Sequence, residues 1–153
     1  MISRALPVAL SLCLLSLPAV AEEAPPKAAP AAAPAAETPP PKAAMDAAES
    51  WLKLIDESKF AESWNQSGSV FKAAITAQQW GAAAIGVRGP LGKLVSRKLK
   101  GATRSKNLPG APDGEYVVIQ YDTVFANKAA AVETVTPMQE KDGSWHVTGY
   151  YIR

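Results

Sequence analysis

The chain is poor in the side chains that most often carry enzyme or metal chemistry: among 153 residues there is one cysteine, Cys13, and one histidine, His146. Cys13 lies in an amino-terminal stretch that reads as an export signal, so removal of that stretch would leave a chain without any thiol. Disulfides, thiolate metal sites and cysteine nucleophiles are then excluded. A metal would have to be held by carboxylates, and these are scattered without calcium-loop spacing. No Gly-x-Ser-x-Gly nucleophile motif is present, and no cofactor is expected. Long apolar runs are also missing, since the longest, Ala5 to Leu17, falls short of the roughly 20 residues of a spanning helix. Charge of one sign is not in excess either: 16 Lys and Arg against 14 Asp and Glu give +2. Three bases (Arg4, Lys27, Lys42) and three acids (Glu22, Glu23, Glu37) precede residue 44, so the remainder carries the same +2 and bulk charge implies no acidic partner.

What is present first is an address. Arg4, the apolar run and Pro18-Ala19-Val20-Ala21 before Glu22 have the order of a secretory signal peptide. Residues 1–21 are the expected signal, cleaved after Ala21, leaving no stable membrane insertion. Leu12 before Cys13 is too large for a lipoprotein signal. Residues 22–43 are almost wholly Ala and Pro, and prolines at that density block both helix and sheet ladders, so a disordered linker is expected. Residues 44–153 are long enough for one core and form a single domain.

The domain changes period halfway along. Ala44, Ala48, Trp51, Leu52 and Ile55 recur at spacings of three and four, with Asp46, Glu49, Lys53 and Asp56 turned away, which predicts an amphipathic helix. Ser58 is the expected cap of a second short helix through Phe60 and Trp64, broken at Gly68, with Val70, Phe71 and Ile75 continuing the apolar pattern. Thr76 and Gln79 have capping-box spacing flanked by Ile75 and Trp80, so a third helix should start at Ala77 and end at Gly89-Pro90. From Lys93 onward the period is two. Strands are expected over Lys93 to Thr103, around Val117 to Phe125, over Ala131 to Gln139 and over Trp145 to Ile152. Lys141-Asp142-Gly143 supplies the last tight turn. Helices followed by a sequential meander make an α+β domain: three helices packed on a curved four-stranded antiparallel sheet.

The stretches Ala48-Glu49-Ser50-Trp51-Leu52, Phe60-Ala61-Glu62-Ser63-Trp64, Arg88-Gly89-Pro90-Leu91-Gly92, Leu108 to Tyr116 and Trp145 to Tyr151 resemble the bacterial exported family catalogued as domain of unknown function 4019. The resemblance covers essentially the whole domain and implies export and fold. The order of elements also resembles nuclear-transport-factor-2-like and cystatin-like architectures, in which a bent sheet wraps a long helix and can leave a pocket. Fold analogy assigns no chemistry.

Several residues invite a functional reading. His146 on the last strand could act as a general base, but only beside an orienting carboxylate and a group to act on, such as Asp122, Glu133 or Ser96 brought near by strand pairing, so a structural or surface role is the simpler reading. Asp122 or Glu133 could face the hollow of the sheet as a proton acceptor, with Tyr121 nearby, although alternate positions on such strands are polar anyway. Lys93, Arg97, Lys98, Lys100, Arg104 and Lys106 form a run of bases that could meet an anion, but lysines also protect an exposed edge strand, and export disfavours nucleic acid. Trp51, Trp64, Trp80 and Trp145 sit within periodic patterns and are expected in the core. Two function classes follow. One is an exported, periplasmic, non-catalytic binding domain for an envelope protein, an envelope polymer or a small apolar ligand. The other is a small cofactor-independent isomerase or hydrolase using a sheet carboxylate.

Overall fold

The structure, a computed structural model, describes residues 39–153. The expected signal, its cleavage position after Ala21, Cys13 and most of the Ala/Pro segment lie outside the described residues. Four helices precede four strands: α1 (Lys42–Asp56), α2 (Phe60–Gln66), α3 (Ser69–Ala74), α4 (Ala77–Leu91), β1 (Leu94–Ser105), β2 (Tyr116–Phe125), β3 (Lys128–Gln139) and β4 (Trp145–Ile152). The strands form one antiparallel sheet in chain order, β1-β2-β3-β4. The class is α+β. Among the described residues no helix is long and apolar enough to cross a membrane.

Helix α1 begins at Lys42 rather than at the expected boundary of 44. Prolines tolerate the position ahead of a first helical turn, where no N–H is needed, and the Pro41 carbonyl accepts from the amide of Ala44 at 3.0 Å. The helix buries Ala44, Ala48, Trp51, Leu52 and Ile55, the face its periodicity defines. The apolar continuation around Val70 is a separate helix, α3, because the chain is extended at Ser67 and Gly68. The amide of Gly68 there bonds the Val147 carbonyl at 2.8 Å.

Three local expectations need correction. Ser58 does not cap α2; it sits in the left-handed region at φ 59, completing the reversal after α1, and Lys59 precedes α2 without a side-chain cap. Helix α4 passes through Pro90 to Leu91, since a proline in the last turn forfeits only one ladder bond. Its final carbonyls are satisfied from the β2–β3 turn, where Asn127 donates from Nδ2 to Pro90 O and from its amide to Leu91 O. The chain then leaves through Gly92 at φ 75, where a Cβ would lie 3.2 Å from Ala126 Cβ. Finally, Asp56 is not turned to solvent; its side chain is 19% exposed.

The core lies between α1 and the sheet. Trp51, Phe71, Trp80 and Tyr150 form an aromatic cluster with centroid separations of 5.0 to 6.3 Å. Such pairs contribute about 0.5–1.5 kcal/mol each beyond the area they bury. Burying indoles requires partners for their N–H groups. Trp51 Nε1 donates to Ser63 O and Ser67 Oγ, Trp80 Nε1 to Ser63 Oγ, and Trp64 Nε1 to Ile75 O. Strand β2 turns Val117, Ile119, Tyr121 and Phe125 inward, and β3 turns Ala131, Glu133 and Val135 the same way. Helix α1 lies on β3 and β4 and meets only the near side of β2; no helix packs extensively on β1.

The capping box of α4 is formed, with Thr76 Oγ1 accepting from the Gln79 amide and Gln79 Oε1 accepting from the Thr76 amide. Thr76→Ala is therefore expected to lower unfolding free energy by about 1 kcal/mol, with Thr76→Ser close to wild type. Urea denaturation would measure this, and an unchanged Ala variant would remove the cap from the account.

Candidate functional site

The polar feature at the centre of the molecule is a closed ring of four charges. Glu133, on β3, is fully buried. Its Oε1 accepts from Arg88 Nη1 at 3.0 Å and from the Tyr150 hydroxyl at 2.6 Å, while Oε2 accepts from Arg97 Nε at 2.6 Å and Thr123 Oγ1 at 2.8 Å. Asp56, the last residue of α1, closes the ring. It takes a bond from Arg88 Nη2 at 2.6 Å and a fork from Arg97 Nη1 and Nη2 at 2.7 and 3.0 Å. Two guanidiniums thus face two carboxylates, and Arg88 also lies over the Phe125 ring, 4.5 Å from its centroid.

Each member arrives from a different element. Register places Glu133 opposite Tyr121 on β2, and Thr123 opposite Arg97 on β1, so all four positions face the helices. Burial works against the charge of the Arg97 guanidinium, but hydrogen bonds to Asp56 and Glu133 outweigh it and hold its pKa above the ordinary arginine value. Burial also pushes the Tyr150 hydroxyl far above the usual tyrosine range, with the adjacent Glu133 charge adding to it. The Tyr121 hydroxyl is pushed up chiefly by burial, and it has no hydrogen-bond partner among the described residues.

Of the candidates read from sequence, the structure brings together Glu133 and Tyr121, opposite each other across β3 and β2, and leaves the others apart. Glu133 is inside the ring, whereas Asp122 points to the outer face of the sheet, 59% exposed, and pairs with Lys100 at 2.9 Å. His146 pairs with Met138, six residues along β4 from Ile152, the partner of Glu133. That separation is about 20 Å at strand rise. Its Nδ1 lies 3.0 Å from Gln66 O, an acceptor, so in the neutral ring Nδ1 donates there and Nε2 keeps the free lone pair, with no orienting carboxylate at Nδ1. Of the tryptophans, Trp51 and Trp80 are buried and Trp64 and Trp145 pack partly buried against the core. The basic run is divided: Arg97 is internal, Lys100 pairs with Asp122, Arg104 and Lys106 share Glu115, Lys93 stands at the head of β1, and Lys98 faces outward. Exposed pairs of that kind contribute about 0–1 kcal/mol each.

Sequence reasoning missed Asp56, Arg88, Thr123 and Tyr150. The available signal was Arg88, the sole charge in the fifteen residues of α4. A lone charge on an apolar helix is a demand for a buried counterion.

Beside the ring a cleft of about 610 Å³ opens between the end of α1, α4 and the start of β1. Asp56 and Arg88 form its polar floor, Ile55, Phe60, Ile85 and Leu94 its apolar walls, and Lys93 stands at its rim. A second, mostly apolar hollow between α4 and β4 is about 220 Å³. The first falls within the roughly 300–1,000 Å³ usual for small-molecule sites, as do a groove of about 470 Å³ beside Ser96, Lys98 and Lys100 and another of about 610 Å³ beside Glu140 and His146, and the first is the one that adjoins the ring.

Breaking the ring should be costly. Glu133→Gln leaves two guanidiniums against one carboxylate, and a loss of about 3–5 kcal/mol is expected in chemical denaturation. Replacing Asp56, Arg88, Arg97 and Glu133 together by apolar residues of similar volume should be near neutral; a single variant as stable as wild type would contradict the buried ring. The Tyr150 shift carries its own sign. A hydroxyl kept neutral in the fold stabilises fully below the unfolded pKa of about 10, and that contribution is lost as pH rises beyond it. Stability should therefore fall above about pH 10, and less steeply in Tyr150→Phe, with Tyr116 and Tyr121 sustaining the remainder.

No curated protein and no solved structure gives a significant match to the chain. Residues 47–150 match the family described as Protein of unknown function (DUF4019). That span runs from within α1 into β4 and contains all six residues of the ring and its hydroxyl partners; the chain belongs to this family.

Proposed function

We propose that the protein is an exported, periplasmic, non-catalytic binding domain whose ligand site is the cleft between α1, α4 and β1. The observation that carries this reading is the state of Glu133. A proton acceptor needs an unshared lone pair facing a cavity, and Glu133 is fully buried with four donors on its two oxygens. The isomerase or hydrolase alternative uses Asp122 or Glu133 with His146 or Tyr121; Tyr121 does lie opposite Glu133, but the oxygens of that carboxylate are already taken, Asp122 is on the outer face of the sheet, and His146 is far along β4. Binding is supported by the cleft itself, with apolar walls for a small apolar body, Asp56 and Arg88 on its floor and Lys93 at its rim. Export rests on the order of charge, apolar run and small-residue site ahead of Glu22.

The test begins with the full chain produced in an exporting bacterium. Recovery outside the cytoplasm with Glu22 as first residue is expected, and retention of residues 1–21 would overturn the export reading. That protein is then heated with small apolar ligands and with envelope fractions. A ligand at a hundred times its Kd should stabilise by about 2.7 kcal/mol and raise the midpoint, and Ile85→Trp, which narrows the cleft from an exposed wall, should abolish the rise. Turnover of an ester or enolisable substrate that disappears in Glu133→Gln would overturn the non-catalytic reading.

A further inference from the structure

The edge of β1 is the open backbone of this molecule. Leu94–Ser105 pairs with β2 on one side, and no other backbone group bonds to it among the described residues. The opposite edge differs, because Val147 O on β4 is taken by the Gly68 amide. Strand β1 also carries two of the most exposed large apolar side chains, Val95 at 64% and Leu99 at 56%. Leu99 pairs with inward-facing Tyr121 and so stands on the helix side, where no helix packs extensively over β1. On the other side Lys98 and Lys100 border a shallow groove. Lys98 has no carboxylate within ion-pair distance among the described residues, and Lys100 is held only by exposed Asp122.

We infer that β1 is a docking edge for an extended acidic segment of a partner protein that adds as a fifth strand. Main-chain bonds to the open edge supply affinity, and alternate side chains supply selection. Period two puts apolar residues of the incoming segment over Leu99 and acidic residues beside Lys98 and Lys100. A second copy of this chain fits poorly: antiparallel self-pairing about Leu99 would bring the lysines of both edges together, and like charges across a ladder are destabilising. Irregularities between Leu94 and Ser96 and between Leu99 and Gly101 interrupt the flat edge, which disfavours long self-pairing and suits a short strand. The inference rests on the binding reading above but uses a surface separate from the cleft.

The probe is an acetylated, amidated octapeptide of alternating glutamate and valine, with a second version N-methylated at alternate backbone nitrogens. Binding to the full chain is followed by fluorescence anisotropy at low and high salt. The unmodified peptide should bind, weaken at high salt as screening shortens to about 3 Å at 1 M, and lose affinity about tenfold in Lys98→Glu, Lys100→Glu and Leu99→Asp variants with unchanged thermal midpoints. The N-methylated peptide should bind at least about tenfold more weakly, since several main-chain bonds of about 0.5–1.5 kcal/mol each are blocked. Equal binding of both versions would reduce the surface to bare charge and overturn strand addition. A peptide-independent dimer broken by Leu99→Asp would give the edge to a second copy and overturn it as well. If the peptide fails while cleft ligands still raise the midpoint, the docking edge falls and the binding reading stands; if the peptide binds and no cleft ligand does, the reverse holds for the cleft.

Discussion

A carboxylate with no contact to water governs the arrangement of this protein. Ionised Glu133 is tolerable in the core only because Arg88, Arg97, Thr123 and Tyr150 deliver four hydrogen bonds to it. Those donors bring charge of their own, and Asp56 balances it. The ring consequently ties α1, α4 and all four strands to one point. A buried ring of this kind adds little net stability over an apolar core, since desolvation offsets most of the Coulomb attraction. What it penalises is misplacement: a one-residue slip of β3 would turn Glu133 outward and leave two guanidiniums without their shared partner. The ring is thus better read as fixing register than as adding stability, and the near-neutral expectation for its complete apolar replacement is the measurement that separates the two.

The extent to which this was legible in the sequence follows from range. Patterns that repeat along one element were readable: the buried face of α1, the Thr76 and Gln79 box, the period-two strands and the turn before β4, where Gly143 takes φ 86. Each depends on residues within a few positions of one another. The ring does not. Arg88 and Glu133 are 45 residues apart, Arg97 and Asp56 41, and only the register of three strand pairs and the crossing of α1 bring them together. Asp56 illustrates the limit, because its place on the helix wheel beside Lys53 reads as solvent-facing until Arg97 arrives from β1. The proline in α4 was misread for a related reason, as the groups that complete that helix end come from Asn127, far along the chain.

The same accounting separates core from surface. Of the basic run on β1, the strongest hydrogen-bonding member, Arg97, is consumed inside, and acids neutralise several of the rest. A sequence count of six bases therefore overstates the field that a ligand would meet. Among the described residues, the bases of that run without a carboxylate partner are Lys93, just ahead of β1 at the cleft rim, and Lys98, on the outer face of β1. A domain whose interior charges are already paired has its remaining selectivity in such margins, where apolar walls or an open backbone stand beside a single unneutralised cation.

Why β1 in particular stays open is a matter of width. Four strands at roughly 4.8 Å spacing put β1 about 14 Å from β4, whereas a helix with its side chains is about 10–12 Å across. One helix cannot cover such a sheet. Helix α1 is drawn to the β3–β4 side because Trp51 stacks there against Tyr150, with Trp80 of α4 and Phe71 of α3 completing the cluster on the same side. Helix α3 also packs on β4, and α2 packs on α1 and α4. The uncovered inner side of β1 is filled at one end by Arg97, reaching under α1 to Asp56, and left to Leu99 beyond it. The aromatic cluster that secures one side of the domain is thus the reason the other side has a strand edge to offer.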